Sequence, residues 1–312
     1  MSSLGAPVAV ATAGPGGAAR AGGYRRRWRY LLFALPALVV IFAVILFPWL
    51  FTIFLSVHDW PVVGERSYVG AGNYRQLWHD PRFIESIGRT FYFTFLAVLL
   101  PVVLGVAAAV VFHREFPFRG LLRAVFMMPM MATPVAIALV WTMMFHPQLG
   151  VLNYLMSLIG LPPQLWVFSA STVIPSLVLI EVWQWTPLVM LIVLGGLASL
   201  PTEPYESALI DGASEWDMFR HITWPLVLPF VMVAVVIRAI DAIKAFDTIF
   251  VITQGGPGTA SETINIFLYL QAFAFYNIGY ASAVVVVFFV IIVMLTLLLL
   301  WSRQRTQWNL KS

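Results

Sequence analysis

Six tracts of this chain are long and apolar enough to cross a lipid bilayer, and that pattern decides what it can fold into. A helix needs about 20 apolar residues to span about 30 Å of hydrocarbon. The tracts run Tyr30–Val57, Thr90–Phe112, Ala124–Phe145, Val173–Leu197, Trp224–Ile252 and Ala281–Trp301. Composition agrees: 61% of residues are hydrophobic and 10% charged, against about 25% charged in a soluble domain. The expected fold is an all-α membrane protein with six transmembrane helices. Its parts would be a first helix at 30–57, a loop at 58–85, a core of five helices at 86–301 and a tail at 302–312.

Residues 1–29 are mostly Ala, Gly, Ser, Pro and Val followed by arginines, and read as a disordered basic tail. The apolar run that follows is longer than the h-region of a signal peptide, so the first span is expected to remain uncleaved. Basic residues set the orientation. Arg20, Arg25, Arg26, Arg27, Arg29, Arg114, Arg119, Arg123, Arg220, Arg303, Arg305 and Lys311 fall on one side, and Arg66, Arg75, Arg82 and Arg89 on the other. Both termini are therefore expected in the cytoplasm, with the chain in the inner membrane of a bacterium. Prolines within or beside the spans, such as Pro101, Pro134, Pro187 and Pro229, favour a bundle whose helices bend.

Several kinds of chemistry drop out. The chain has no cysteine, which removes disulfides, thiolate metal sites and thiol nucleophiles. Its two lysines, Lys244 and Lys311, stand outside any phosphate-binding glycine-rich run, so it has no P-loop of its own. The five histidines are scattered over different loops without metal-ligand spacing. QGGPG at 254–258 reads as an extracytoplasmic turn and not as a phosphate cradle. No catalytic residue, metal site or nucleic-acid surface is expected.

One loop differs from the others. Residues 201–225 hold six charges, and a helix can begin near Pro204 with Glu203 and Glu206 at its positive N-terminal end. Tyr205, Ala208, Leu209 and Gly212 recur at helical spacing as a narrow face of mostly small residues, and Gly212 is a natural stop. Ser214 to Asp217 has the form of a capping box for a second short helix, and Pro225 can open the fifth span. A surface helix that only tidies a loop and a docking element for another protein both fit.

The order Glu206-Ser207-Ala208, three residues, Gly212, nine residues, Ile222-Thr223-Trp224-Pro225 resembles the EAA loop of ABC importer permeases, E-A-A-x3-G-x9-I-x-L-P. Ser207 stands where that pattern has alanine, and the bulkier Trp224 where it has leucine. Most of residues 30–301 is similar to the maltose-type, binding-protein-dependent sugar permeases. The passages that carry this are GAGNYRQLW at 70–78, EVWQWTPLVMLIVLGGL at 181–197, IDGASEWDMFRHITWP at 210–225, RAIDAIKAFDTIFVITQGGPGTASET at 238–263 and GYASA at 279–283. The resemblance implies the type I ABC importer permease fold and a defined set of partners. These are a second permease subunit, a cytoplasmic ATPase dimer that holds ATP and Mg, and an extracytoplasmic solute-binding protein. It implies ATPase coupling through Glu206, Ser207, Ala208, Asp211, Gly212, Ala213, Ile222 and Pro225. Glu206 would be the polar anchor, and Ala208, Gly212 and Ala213 would allow close docking. No cofactor is then expected in this chain itself.

Two polar groups lie within the spans. Arg238, Asp241, Lys244 and Asp247 recur every three residues with alternating sign and can pair along the helix. Either they face a wet cavity and bind or gate a polyhydroxylated solute, or they form a structural ladder or a contact with the second permease. Glu181, Trp183, Gln184 and Trp185, near the start of the fourth span, offer aromatic faces and paired hydrogen bonds suited to sugars. An interfacial aromatic belt near the outer surface is the other reading. The function expected is the permease subunit of an ATP-driven importer for a carbohydrate or polyol. An ion-coupled secondary transporter using the 238–247 row is the alternative, and a membrane enzyme a more distant one.

Overall fold

The computed structural model of the chain describes residues 33–61 and 64–308. The expected tail at 1–29, the start of the first span at Tyr30 and Lys311 lie outside the described residues. The first helix, α1 (Phe33–Ser56), is apolar enough to cross a membrane. Phe42–Leu46 within it widens into a π-turn, closed by the Phe47 amide on the Phe42 carbonyl. Pro48 follows at once. A proline removes one amide donor and crowds the carbonyl four residues back, and a widened turn relieves both.

From residue 52 onward the chain forms a helical bundle. A two-stranded antiparallel ribbon, β1 (His58–Asp59) with β2 (Ser67–Tyr68), precedes α2 (Gly72–His79). The second span, α3 (Pro81–His113), begins nine residues before the expected Thr90. The cause is local: the Asp80 carboxylate caps the Arg82 and Phe83 amides while Pro81 takes the first turn.

The third span is not the straight helix expected over 124–145. α4 (Arg119–Met131) and α5 (Pro134–Met144) meet at 97°. Thr133 precedes Pro134 and is extended, with φ −69° and ψ 142°, as the proline ring demands. After α6 (Val151–Leu158) comes α7 (Val173–Leu197), the centre of the bundle. Its most apolar stretch is 61% buried, against 17% for the last span. Against α3 the packing is close: a Cβ at Gly105 would stand 2.6 Å from Val189 Cβ. One core joins Phe93, Ala97, Trp141, Phe145 and Ile180, and a second joins Ala109, Val189, Val193 and Val231.

The loop after α7 holds α8 (Glu203–Ile210) and then α9 (Glu215–Ile243). The fifth span therefore starts before Trp224. The capping box at Ser214 opens a helix that runs through a π-turn at Phe219–Thr223 directly into the membrane-length segment. As in α1, a proline (Pro225) follows the π-turn. The expected continuous helix to Ile252 does not form. α9 stops at Ile243, Lys244–Phe246 is non-helical, and α10 (Asp247–Thr253) restarts the chain. α11 (Ile264–Ala274) and α12 (Ile278–Trp308) complete the fold. Among the described residues, five helices are thus long and apolar enough to cross a membrane, and the bent α4–α5 pair is the sixth candidate. Leu99, Val103, Leu139, Val140, Met294, Leu297 and Leu298 are exposed, the inverse of a water-soluble surface.

Candidate functional site

Two clusters carry the chemistry. The first is the 201–225 loop. Pro204 lies in the first turn of α8, beside Glu203 and Glu206. At its other end the Gly212 amide donates to Leu209 O (3.2 Å) and the Ala213 amide to Ala208 O (3.0 Å). That double closure is a Schellman cap, and Gly212 supplies its left-handed residue at φ +76°. Tyr205 Oη meets Thr223 Oγ1 at 3.0 Å, pinning α8 to the π-turn of α9. The Arg114–Glu215 pair (2.8 Å) ties the same loop to the end of α3, but both side chains are well exposed.

The outward face of α8 is not the small-residue face expected. Tyr205, Ala208 and Ala213 are half-buried, whereas Leu209 is 63% and Ile210 87% exposed. Glu206, Ser207, Asp211 and Gly212 are also exposed, while Ile222 and Pro225 are half-buried at the root of α9. The loop therefore presents two large aliphatic side chains flanked by carboxylates. Leu209 was seen in the sequence as part of that face, but Ile210 was not, because it falls off the Tyr205–Gly212 stripe.

The second cluster is a polar cleft of about 270 Å³ among α5, α7, α9 and α10. It is lined by Glu181, Gln184, Trp185, Arg238, Asp241, Lys244 and Asp247, seven of the eight intramembrane residues singled out from sequence. Pro134, Ala245, Phe246 and Thr248 complete its wall. Arg238 is fully buried; its Nη2 donates to Glu181 Oε2 at 2.8 Å and to Ala97 O at 3.2 Å. The guanidinium carbon lies 5.0 Å from the Trp185 ring centre. Gln184 is buried, and its Nε2 reaches Ala132 O at 3.5 Å. Arg238 Nε and Nη1 and Gln184 Oε1 are buried without a partner among the described residues. Asp241, Lys244 and Asp247 are exposed at the rim.

Two expectations change here. The 238–247 row is not a ladder along one helix: Arg238 pairs across the bundle with Glu181, and the helix ends before Lys244. Nor are Glu181 and Gln184 a surface belt, since Glu181 lies about 12 Å into α7 and both are buried. Trp183 stays outside the cleft. It points to another face of α7, 45% exposed and 5.8 Å from Trp141, on an apolar groove with Ala136 and Val140.

Residues 101–308 match the family described as binding-protein-dependent transport system inner membrane component. The chain belongs to that family. It is 35% identical over 257 residues to the trehalose/maltose transport system permease protein MalF of Thermococcus litoralis, covering 82% of this chain and 86% of the relative. It is 31% identical over 264 residues to the trehalose transport system permease protein SugA of Mycobacterium tuberculosis, covering 83% of each. Its fold matches a chain in the crystal structure of a bacterial ABC transporter involved in the import of the acidic polysaccharide alginate. That match has TM-score 0.78 at 21% identity over 91% of this chain and 98% of the other. The protein is thus a multi-pass membrane permease subunit of an ABC importer, and the ion-coupled carrier and membrane-enzyme readings are set aside.

For the permease, what sequence reasoning missed is the backbone of the cleft. Ala97 O, Ala132 O and the Phe246 break came from no motif. Two signals were available: the paired prolines around residue 132, and the need of a buried Arg238 for an acid on a facing helix. Glu181 is the one acid placed within the apolar tract Val173–Leu197.

Proposed function

We propose that this permease forms, together with a second permease subunit, the path for a carbohydrate or polyol delivered by an extracytoplasmic binding protein. The 181–248 cleft would be part of that path. The observation that carries the reading is the set of buried groups with no partner among the described residues: Arg238 Nε and Nη1 and Gln184 Oε1, whose residues line one cleft with Trp185. A sugar hydroxyl both accepts and donates, and a sugar ring offers C–H faces to an indole. The named substrates of the relatives, trehalose and maltose, support the same solute class.

ATP hydrolysis would belong to a separate cytoplasmic ATPase dimer that binds ATP and Mg, with α8 as the joint. Glu206 anchors that joint beside the exposed Leu209 and Ile210, and Ser207, Asp211 and Gly212 share the exposed face. The excess of basic residues on the side of the 201–225 loop, twelve against four, supports cytoplasmic termini in an inner membrane.

Co-purification followed by reconstitution tests the proposal. A tagged permease should bring down a second permease and an ATPase. Liposomes holding that complex should take up a carbohydrate only with ATP inside and loaded binding protein outside. Uptake that persists without ATP and collapses with an ion uncoupler would refute it.

A further inference from the structure

The 254–263 turn is built as a closed unit. Ser261 donates its amide to Gly255 O (3.1 Å) and its hydroxyl to Gly256 O (2.7 Å), and the Glu262 amide reaches Thr259 O (3.0 Å). Thr253 Oγ1 meets Ser261 Oγ at 2.7 Å, which fixes the turn to the end of α10. The whole unit is then tied to a single face of α3. Arg82 grips Glu262 with Nε (2.8 Å to Oε1) and Nη2 (2.7 Å to Oε2), a two-pronged contact. Arg89 Nη2 donates to Thr259 Oγ1 at 3.2 Å, and the Ile264 amide donates to Thr90 Oγ1 at 2.9 Å. Positions 89 and 90 lie about two helical turns beyond 82 on α3, which brings them round to the same side of the helix.

The turn also has a lever attached. α10 has seven residues, too few to hold a helix alone, and Lys244–Phe246 separates it from α9. Yet Asp247 and Thr248, at its start, line the polar cleft. One end of this short wall is a non-helical break and the other is the clamped turn. The Glu262 side chain is 1% exposed, so its carboxylate depends on the Arg82 fork, whose two parallel bonds fix direction as well as distance.

We propose that Arg82 and Glu262 are positioning residues for transport: from the outer end of α3 they set the stance of α10, and with it one wall of the cleft. This rests on the reading of the cleft as part of the solute path. Breaking the fork would let α10 swing at Lys244–Phe246, so the cleft would be misformed while the 201–225 loop stayed intact.

The test uses the assembled importer in nanodiscs with Glu262→Gln and, as a milder variant, Arg82→Lys, which keeps the charge but loses the fork. Glu262→Gln should lower kcat for uptake about tenfold and leave KM for loaded binding protein within about twofold; Arg82→Lys should lower kcat about threefold. The chain has no native cysteine, so spin labels at Gln254→Cys and Ser171→Cys, both exposed positions, report on α10 against the start of α7. Their distance distribution should be narrow in the parent and broadened or shifted in both variants.

A raised KM with unchanged kcat would make the turn a docking contact for the binding protein and overturn the proposal. So would unaltered distances, or an Arg82→Lys variant that matches the parent while Glu262→Gln fails to assemble. If the parent importer carries no carbohydrate, the solute reading fails, and the label distances still decide the clamp.

Discussion

Arg238 of α9 and Glu181 of α7 form a buried ion pair, 2.8 Å apart, with side chains 1% and 7% exposed. Two charges can sit in the middle of an apolar bundle only as such a pair, and the carbonyl of Ala97 takes a further share of the guanidinium. The pair also fixes which faces of the central helix and the fifth span meet. Removing one partner leaves the other charged and stranded, whereas replacing both with apolar groups removes the desolvation cost. Glu181→Ala should therefore destabilise the permease by about 3–5 kcal/mol, and Glu181→Leu with Arg238→Met by much less. Thermal unfolding of the three detergent-solubilised proteins checks this; equal losses from the single and double changes would contradict it.

Gln184 and Trp183 are neighbours in sequence on different faces of α7, which makes them a matched contrast. Gln184 has a buried oxygen at the cleft without a partner among the described residues, and Trp183 lies on an apolar groove elsewhere. Gln184→Ala should reduce uptake by about ten-fold or more, the scale of one lost hydrogen-bonding group at a solute. Asp241→Ala, at the exposed rim, should reduce it less, and Trp183→Ala should leave it near the parental rate. Initial uptake rates in proteoliposomes with matched permease content measure all three. Loss in Trp183→Ala with none in Gln184→Ala would move the path to the other face of α7.

Much of this was legible in the residues, and the reason differs by element. The apolar tracts are long, and a membrane leaves the backbone few options, so span number and type follow from hydropathy. The two short helices of the 201–225 loop were legible because Pro204, Gly212 and the Ser214 capping box punctuate them. What escaped was wherever local chemistry overrode hydropathy. Asp80 and Pro81 start α3 among polar residues, Thr133 breaks a tract whose side chains are all apolar enough to continue, and Lys244–Phe246 ends a helix whose charges recur at helical spacing. The partner of Arg238 was hidden for another reason: hydropathy places residues along a span but says nothing of which spans face each other.

Close packing between α3 and α7 supplies a third test. At Gly105 an added Cβ would stand 2.6 Å from Val189 Cβ and 3.1 Å from the Met190 backbone nitrogen, so one of the helices must move. Overpacking of this kind costs about 1–3 kcal/mol. Gly105→Ala should lower the unfolding temperature, and by less in a Val189→Gly background, which removes the clashing Cβ. An equal loss in both backgrounds would show that the contact is not what limits position 105.

Gly212 offers the most discriminating experiment on the proposed coupling role of the 201–225 loop, because two physical roles make opposite predictions there. If the glycine serves close docking, side-chain size should decide the outcome, and alanine should be tolerated better than asparagine. If it serves the cap of α8, conformation should decide it. Its φ of +76° strains any residue with a Cβ, by about 1–2 kcal/mol, and asparagine tolerates that region better than alanine. Within this chain a Cβ at position 212 would meet nothing within 4 Å, so backbone conformation is the one local constraint. We expect ATP hydrolysis to be uncoupled from uptake most by Gly212→Leu, which fails on both counts, then by Gly212→Ala, and least by Gly212→Asn. The ratio of solute imported to ATP hydrolysed in the reconstituted importer reads this order directly. Alanine outperforming asparagine would assign Gly212 to the docking surface, and normal coupling in a well-expressed Gly212→Leu variant would remove α8 from the joint altogether.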